Sequence, residues 1–166
     1  QFLATVSLPF FLNHMLGYDD VATGLLMTPW PVATAICAPI AGRLADRMSG
    51  GRLSGLGSLI FAIGLGALAL LPAAPAIWDI VWRMALAGVG FGLFQSPNNK
   101  VMLSSAPRQR SGGASGMQAT ARLTGQSVGA ALAGVIFGVT SGYSVMLTMG
   151  IATAFALAAA VLSIWR

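Results

Sequence analysis

Polar residues are rare along this chain, and where they cluster they divide it into apolar stretches. A membrane span needs about 20 mainly apolar residues to cross a hydrocarbon core of roughly 30 Å. Six stretches of that kind run from Phe2 to Leu16 (shorter than the others), Val21 to Gly42, Leu53 to Leu71, Ile77 to about Ser104, Ala114 to Val139, and Tyr143 to Ile164. They are too long and continuous for the alternating strands of a membrane barrel, and within lipid every backbone N–H and C=O must be satisfied inside its own segment. The expected fold is therefore all-α: a polytopic bundle of six transmembrane helices over residues 1–166. Pro29, Pro31 and Pro39 punctuate the second span and Pro97 the fourth, so both are expected to kink.

The charges fall on one side of this pattern. Arg43, Arg47 and Arg52 flank the connection between spans two and three, Lys100, Arg108 and Arg110 are assigned to that between four and five, and Arg166 follows span six. The other three connections hold no Lys or Arg, and Asp19, Asp20 and Asp79 lie on their side. Because short cytoplasmic loops carry the positive excess, both ends of the chain are expected in the cytoplasm, with the bundle in an inner or plasma membrane.

Composition narrows the function. Hydrophobic residues make up 56% of the 166 and charged residues 8%, against roughly 45–50% and 25% in soluble domains. A soluble protein is excluded, and the few basic residues sit in short clusters, which argues against a nucleic-acid partner. One cysteine, Cys37, and one histidine, His14, exclude a disulfide framework and leave no metal centre to expect. No nucleophile and base stand with an orienting acid, so neither catalytic residues nor a cofactor are expected and the chain is read as no enzyme. It opens on Gln1 and an apolar run without the features of a signal peptide, and is read as a piece of a longer chain.

The polar residues inside the spans are the candidates for function. Ser115, Gln118, Arg122 and Gln126 recur every three or four residues and so share one face of span five. At 1.5 Å per residue, Arg122 lies roughly 12 Å from the start of that span. A guanidinium at that depth costs several kcal/mol unless it meets water, a carboxylate or carbonyls. The face therefore either lines an aqueous substrate pathway, or Arg122 snorkels to the headgroups while the glutamines bond a neighbouring helix. Gln95, Asn98 and Asn99 gather around Pro97, as pathway lining or as repair of the kink. Asn13 joins the pathway candidates from the outer end of span one, where His14 reads as a helix-end residue. Asp79 and Arg83, at i,i+4, form a structural ion pair. Gly88 with Gly92, Gly125 with Gly129, and Gly134 with Gly138 have the spacing that lets membrane helices approach closely. Trp30 and Cys37 read as packing. Spans three and six carry only hydroxyl side chains as polar groups and are expected to be outer helices.

Between spans two and three stands Gly42-Arg43-Leu44-Ala45-Asp46-Arg47-Met48-Ser49-Gly50-Gly51-Arg52. It resembles the cytoplasmic loop signature of the major facilitator superfamily, G-x-L-a-D-R-x-G-R-K, with Gly42, Leu44, Asp46 and Arg47 in place, the second glycine displaced to Gly50 and the paired basic positions reduced to Arg52. The stretches Arg83 through Asn99 and Gly113 through Gly129 are similar to the carboxy-terminal half of fourteen-helix drug:proton antiporters of the EmrB/QacA type. The resemblance implies a transporter half acting by alternating access, with Gly42, Arg43, Asp46, Arg47 and Arg52 as a cytoplasmic gate motif. It further implies efflux of small hydrophobic or cationic drugs against protons. The implied partners are the lipid bilayer, the missing amino-terminal half, a small-molecule substrate and protons, and the proton-binding carboxylate would lie in that other half. A metabolite or siderophore exporter of the same fold, and a non-transporting membrane scaffold or receptor, remain open as alternatives.

Overall fold

The fold is seen in a computed structural model, which describes residues 1–72, 74–105, 107, 111–139 and 144–165. Arg108, Arg110, Ser141 and Arg166 lie outside the described residues. The described chain is helical, in the order α1 (Phe2–Phe10), a π-turn (Phe11–Met15), α2 (Asp20–Met27), α3 (Pro29–Leu44), α4 (Gly50–Ala69), α5 (Ile77–Ser104), α6 (Ser111–Val139) and α7 (Ser144–Ile164). Among the described residues, five segments are long and apolar enough to cross a membrane, the first being Asp20–Leu44, and Phe2–Met15 is a shorter apolar helix.

Local chemistry accounts for the breaks. Pro9 lies inside α1, and the widened turn that follows closes with a bond from the Leu16 amide to the Phe11 carbonyl, 3.2 Å and five residues apart. Gly17 then takes φ +72°, a left-handed conformation natural to glycine after a helix. The carboxylate of Asp19 caps α2 by accepting from the Ala22 amide at 2.9 Å, and an acid there also suits the positive end of the helix dipole. The second span breaks at Thr28, before Pro29, whose ring supplies no donor for the helical ladder. Pro97, by contrast, is accommodated within an uninterrupted α5.

Glycines set the packing. A Cβ on Gly88 would strike the Trp30 carbonyl and lie 2.9 Å from the Ala33 Cβ, and one on Gly92 would lie 3.0 Å from both Cys37 Cβ and the Thr34 carbonyl. α3 and α5 thus run parallel with their backbones almost touching, and the Thr34 hydroxyl bridges them by donating to the Gly88 carbonyl at 3.0 Å. Across the antiparallel α4–α5 contact the glycines alternate between helices: a Cβ on Gly64 would lie 2.6 Å from the Ala87 amide nitrogen, and one on Gly90 2.6 Å from Phe61 Cα. α7 closes the other side of α4, where Ala160 and Ile164 crowd Gly55. Around this slab the core gathers Leu65, Leu68, Ile80, Met84 and Met149.

Two sequence expectations need correction. Span three is not peripheral within this unit: α4 buries ten residues between α5 and α7 because its serines and glycines admit neighbours on several sides. Its outward stripe of Leu56, Leu59 and Ile63 remains exposed and apolar. On α6, Gly125, Gly134 and Gly138 meet nothing within 4 Å, and only Gly129 receives a neighbour, Phe2 and Leu3 of α1. Small-residue spacing permits close approach but cannot supply the partner.

Candidate functional site

The contacts place both ends of the bundle. At one end Asp46, just past α3, pairs with Lys100, and Gly50 at the start of α4 faces Val101, so Arg43, Arg47 and Arg52 gather near the carboxy-terminal end of α5. At the other end lie Asp19, Asp20 and Asp79. There Asp79 and Arg83 form the expected pair at 3.5 Å, and the arrangement extends beyond it. Arg83 also donates to the Ala67 carbonyl at the end of α4, its guanidinium lies 5.1 Å from the centre of the Trp82 ring, and the Trp82 indole donates to Asp79 at 3.1 Å. A charge inside a span is tolerated where partners of this kind surround it.

Between α6 and the slab opens a cleft of about 540 Å³, within the usual range for small-molecule sites. Its walls are aromatic and apolar, with Phe61, Phe91 and Phe94 on one side and Phe155 on another. Phe61 and Phe91 pack at 5.6 Å between ring centres, and Trp30 meets Phe61 edge-on at the same distance. Polar groups collect on one side of the cleft: Gln95, Asn98 and Asn99 from α5, Gln118 and Arg122 from α6. The Gln118 amide donates to Asn99 Oδ1 at 2.6 Å, joining the two helices. Asn98 donates to Met102 Sδ at 3.7 Å, a weak acceptor.

Not every pathway candidate reaches this cleft. Asn13 donates to the Tyr18 carbonyl at 3.1 Å and to Asp20 Oδ1 at 3.0 Å, closing the turn around Gly17 at the far end of the span. Ser115 donates to the Gly112 carbonyl at 2.9 Å, and its hydroxyl is thereby used within its own helix. Gln126 is absent from the lining, since the cleft face of α6 runs through Ala121, Gly125, Val128 and Leu132. One residue is about 100° of helical rotation, so Gln126 turns away from the face that Gly125 presents. Those small and apolar residues gave no polar signal, although their spacing from Gln118 is helical.

The loop motif is also placed. Asp46 accepts from Lys100 on α5, and Lys100 belongs to α5 rather than to the connection after it. A Cβ at Gly42 would make only ordinary contact with Ser96 Oγ, 3.5 Å away. Arg47 and Arg52 border a second cavity, about 500 Å³, beside Ser49 and Ile164. His14 is exposed and stacked on Phe10 with ring centres 4.3 Å apart, a helix-end contact.

This chain belongs to the major facilitator superfamily, whose pattern it matches over residues 1–166. It is a multi-pass membrane protein by its family and by its long apolar helices. It is 61% identical over 132 residues to the uncharacterized transporter YebQ of Escherichia coli (strain K12), which is 80% of this chain and 29% of YebQ. The riboflavin transporter RibZ of Clostridioides difficile (strain 630) is 30% identical over 131 residues, 79% of this chain and 29% of that protein. A tetracycline resistance determinant of Streptomyces rimosus is 35% identical over 145 residues, 85% of this chain and 41% of its own length. The chain thus spans less than half the length of these relatives.

Proposed function

We propose that this chain is the carboxy-terminal six-helix half of a proton-coupled exporter of the fourteen-helix type. It would lie in an inner or plasma membrane with both ends cytoplasmic, moving small hydrophobic molecules by rocking against an amino-terminal half. The observation that carries this reading is the cleft itself: aromatic walls that shed water from an apolar solute, and amide and guanidinium groups that orient it. Among the described residues the lining contains no carboxylate, so the proton-binding group is assigned to the other half. The relatives whose names mention riboflavin and tetracycline make these compounds the first solutes to try.

Cysteine labelling of the full-length protein tests the route. With Cys37 replaced by serine, Ala121→Cys on α6 and Ala159→Cys on α7 face the cleft from opposite sides and should react with a small hydrophilic thiol reagent. A transported solute should protect both, while Leu65→Cys, fully buried, should stay inert. Reaction at Leu65, or none at the cleft positions, would refute the route.

The Asp46–Lys100 pair is the working part of the cytoplasmic gate in this reading, joining the loop motif to the helix that carries Gln95, Asn98 and Asn99. Both side chains are more than half exposed, so the pair contributes about 0.2–1 kcal/mol. Asp46→Asn should therefore slow transport by up to about fivefold, Lys100→Met by the same factor, and the double variant by no more than either alone. Multiplying losses would show that the two residues act separately.

A further inference from the structure

The reading of the cleft as the solute route leaves open what chemistry it accepts, and its charge and hydrogen-bonding groups bear on that directly. Among the described residues lining the cleft, Arg122 is the one ionised side chain, and it is exposed. Neither described ion pair uses it: Asp79 is engaged by Arg83 and Asp46 by Lys100. With no carboxylate among the described lining residues, a positive charge in a partly apolar cleft disfavours a second cation and favours an anion.

The amides add to this bias. Asn99 Oδ1 is occupied by Gln118, which leaves the Asn99 NH₂ for a solute. The Asn98 NH₂ meets only the sulfur of Met102 and gains by exchanging it for an oxygen. Together with the five N–H groups of Arg122, the polar side presents a surplus of donors. The rest of the cleft is aromatic, from Phe91 and Phe94 on the same helix as the asparagines and Phe155 on α7, and suits a flat conjugated ring system by stacking. Guanidinium recognises phenolate or carboxylate oxygens in a planar fork.

We infer that the cleft takes planar aromatic anions, molecules bearing phenolate or carboxylate oxygens on a conjugated ring system, and excludes organic cations of the same shape. This sets aside the cationic part of the hydrophobic-or-cationic class that the sequence resemblance implies and specifies the charge of the aromatic solutes exported, and it rests on the cleft being the route.

Two xanthene dyes separate the possibilities, because fluorescein is anionic at neutral pH and rhodamine 6G is cationic while both share the tricyclic core. Binding to the purified full-length protein is followed by fluorescence anisotropy. Fluorescein should bind at least tenfold more tightly than rhodamine 6G. Arg122→Gln should weaken fluorescein at least tenfold and leave rhodamine 6G unchanged or tighter, whereas Arg122→Lys, which keeps the charge but loses the fork, should fall in between. Equal or tighter binding of rhodamine 6G, an unchanged fluorescein affinity in Arg122→Gln, or no binding of either dye would overturn the inference. Labelling at Ala121→Cys and Ala159→Cys keeps the two readings apart. Protection by rhodamine 6G but not fluorescein leaves the export route standing and removes the anion preference, while unreactive cysteines remove both. The same labelling in the Arg122→Gln background reports whether that variant keeps its fold.

Discussion

Gly90→Ala is expected to lower the thermal unfolding midpoint of the full-length protein sharply, although it adds a single methyl group. That methyl would sit against the Phe61 amide nitrogen and 2.6 Å from Phe61 Cα. These are backbone atoms of α4, which no rotamer change can move, so the two helices must part along the length of their contact. Overpacking in a well-packed interior costs about 1–3 kcal/mol when side chains can yield, and here the neighbour is main chain, so the loss should lie at or above the top of that range. Gly112→Ala is the matched control. Nothing lies within 4 Å of its Cβ position, and replacing glycine in a helix contributes up to about 1 kcal/mol. If Gly90→Ala melted with the parent protein, the α4–α5 approach described above would be wrong.

Gly125→Trp should have the opposite profile, a protein that folds and does not transport. Gly125 lines the cleft and its Cβ would meet nothing within 4 Å, so an indole has room to enter without displacing a helix. Once there it occupies the space between α6 and the aromatic wall that a solute needs. Transport should fall at least tenfold with an unchanged melting temperature, a loss of about 1.4 kcal/mol or more in transition-state terms. Gly150→Trp on α7, which also meets nothing within 4 Å and lies outside the cleft, should transport normally. Normal transport by Gly125→Trp would place the route elsewhere.

The contrast between these two glycines marks how far the sequence could be read. The helices themselves were legible, because apolar length in lipid is a local property: the expected span Ile77 to Ser104 coincides with α5. Gly88 and Gly92 were legible as an approach site, and α3 takes it. The same spacing on α6 met nothing at Gly125, Gly134 and Gly138, since the choice of partner depends on the whole bundle. For that reason too, the alternating contacts of Gly64 and Gly90 between α4 and α5 went unread, as did the pairing of Asp46 with Lys100, 54 positions away. Polarity selected Gln118 and Arg122 among the residues that line the cleft but also drew in Gln126 and Ser115. A cleft face need not coincide with the most polar face when glycine and alanine make up much of it.

The uneven distribution of packing has a mechanical meaning. α3, α4 and α5 are locked backbone to backbone, with α7 held on α4 mainly through the Ile164 side chain, and such a unit is stiff: bending α4 or α5 would drive main-chain atoms together. α6 buries only Gly129, Ala133 and Ile136, toward its far end, and near its start the Gln118–Asn99 hydrogen bond joins it to α5. Within this chain it is the most lightly held helix, like a reed clamped near one end and lightly tied at the other. A load applied to the bundle from outside would be taken up first as tilt of that one helix, altering the width of the cleft while the slab behind it keeps its shape.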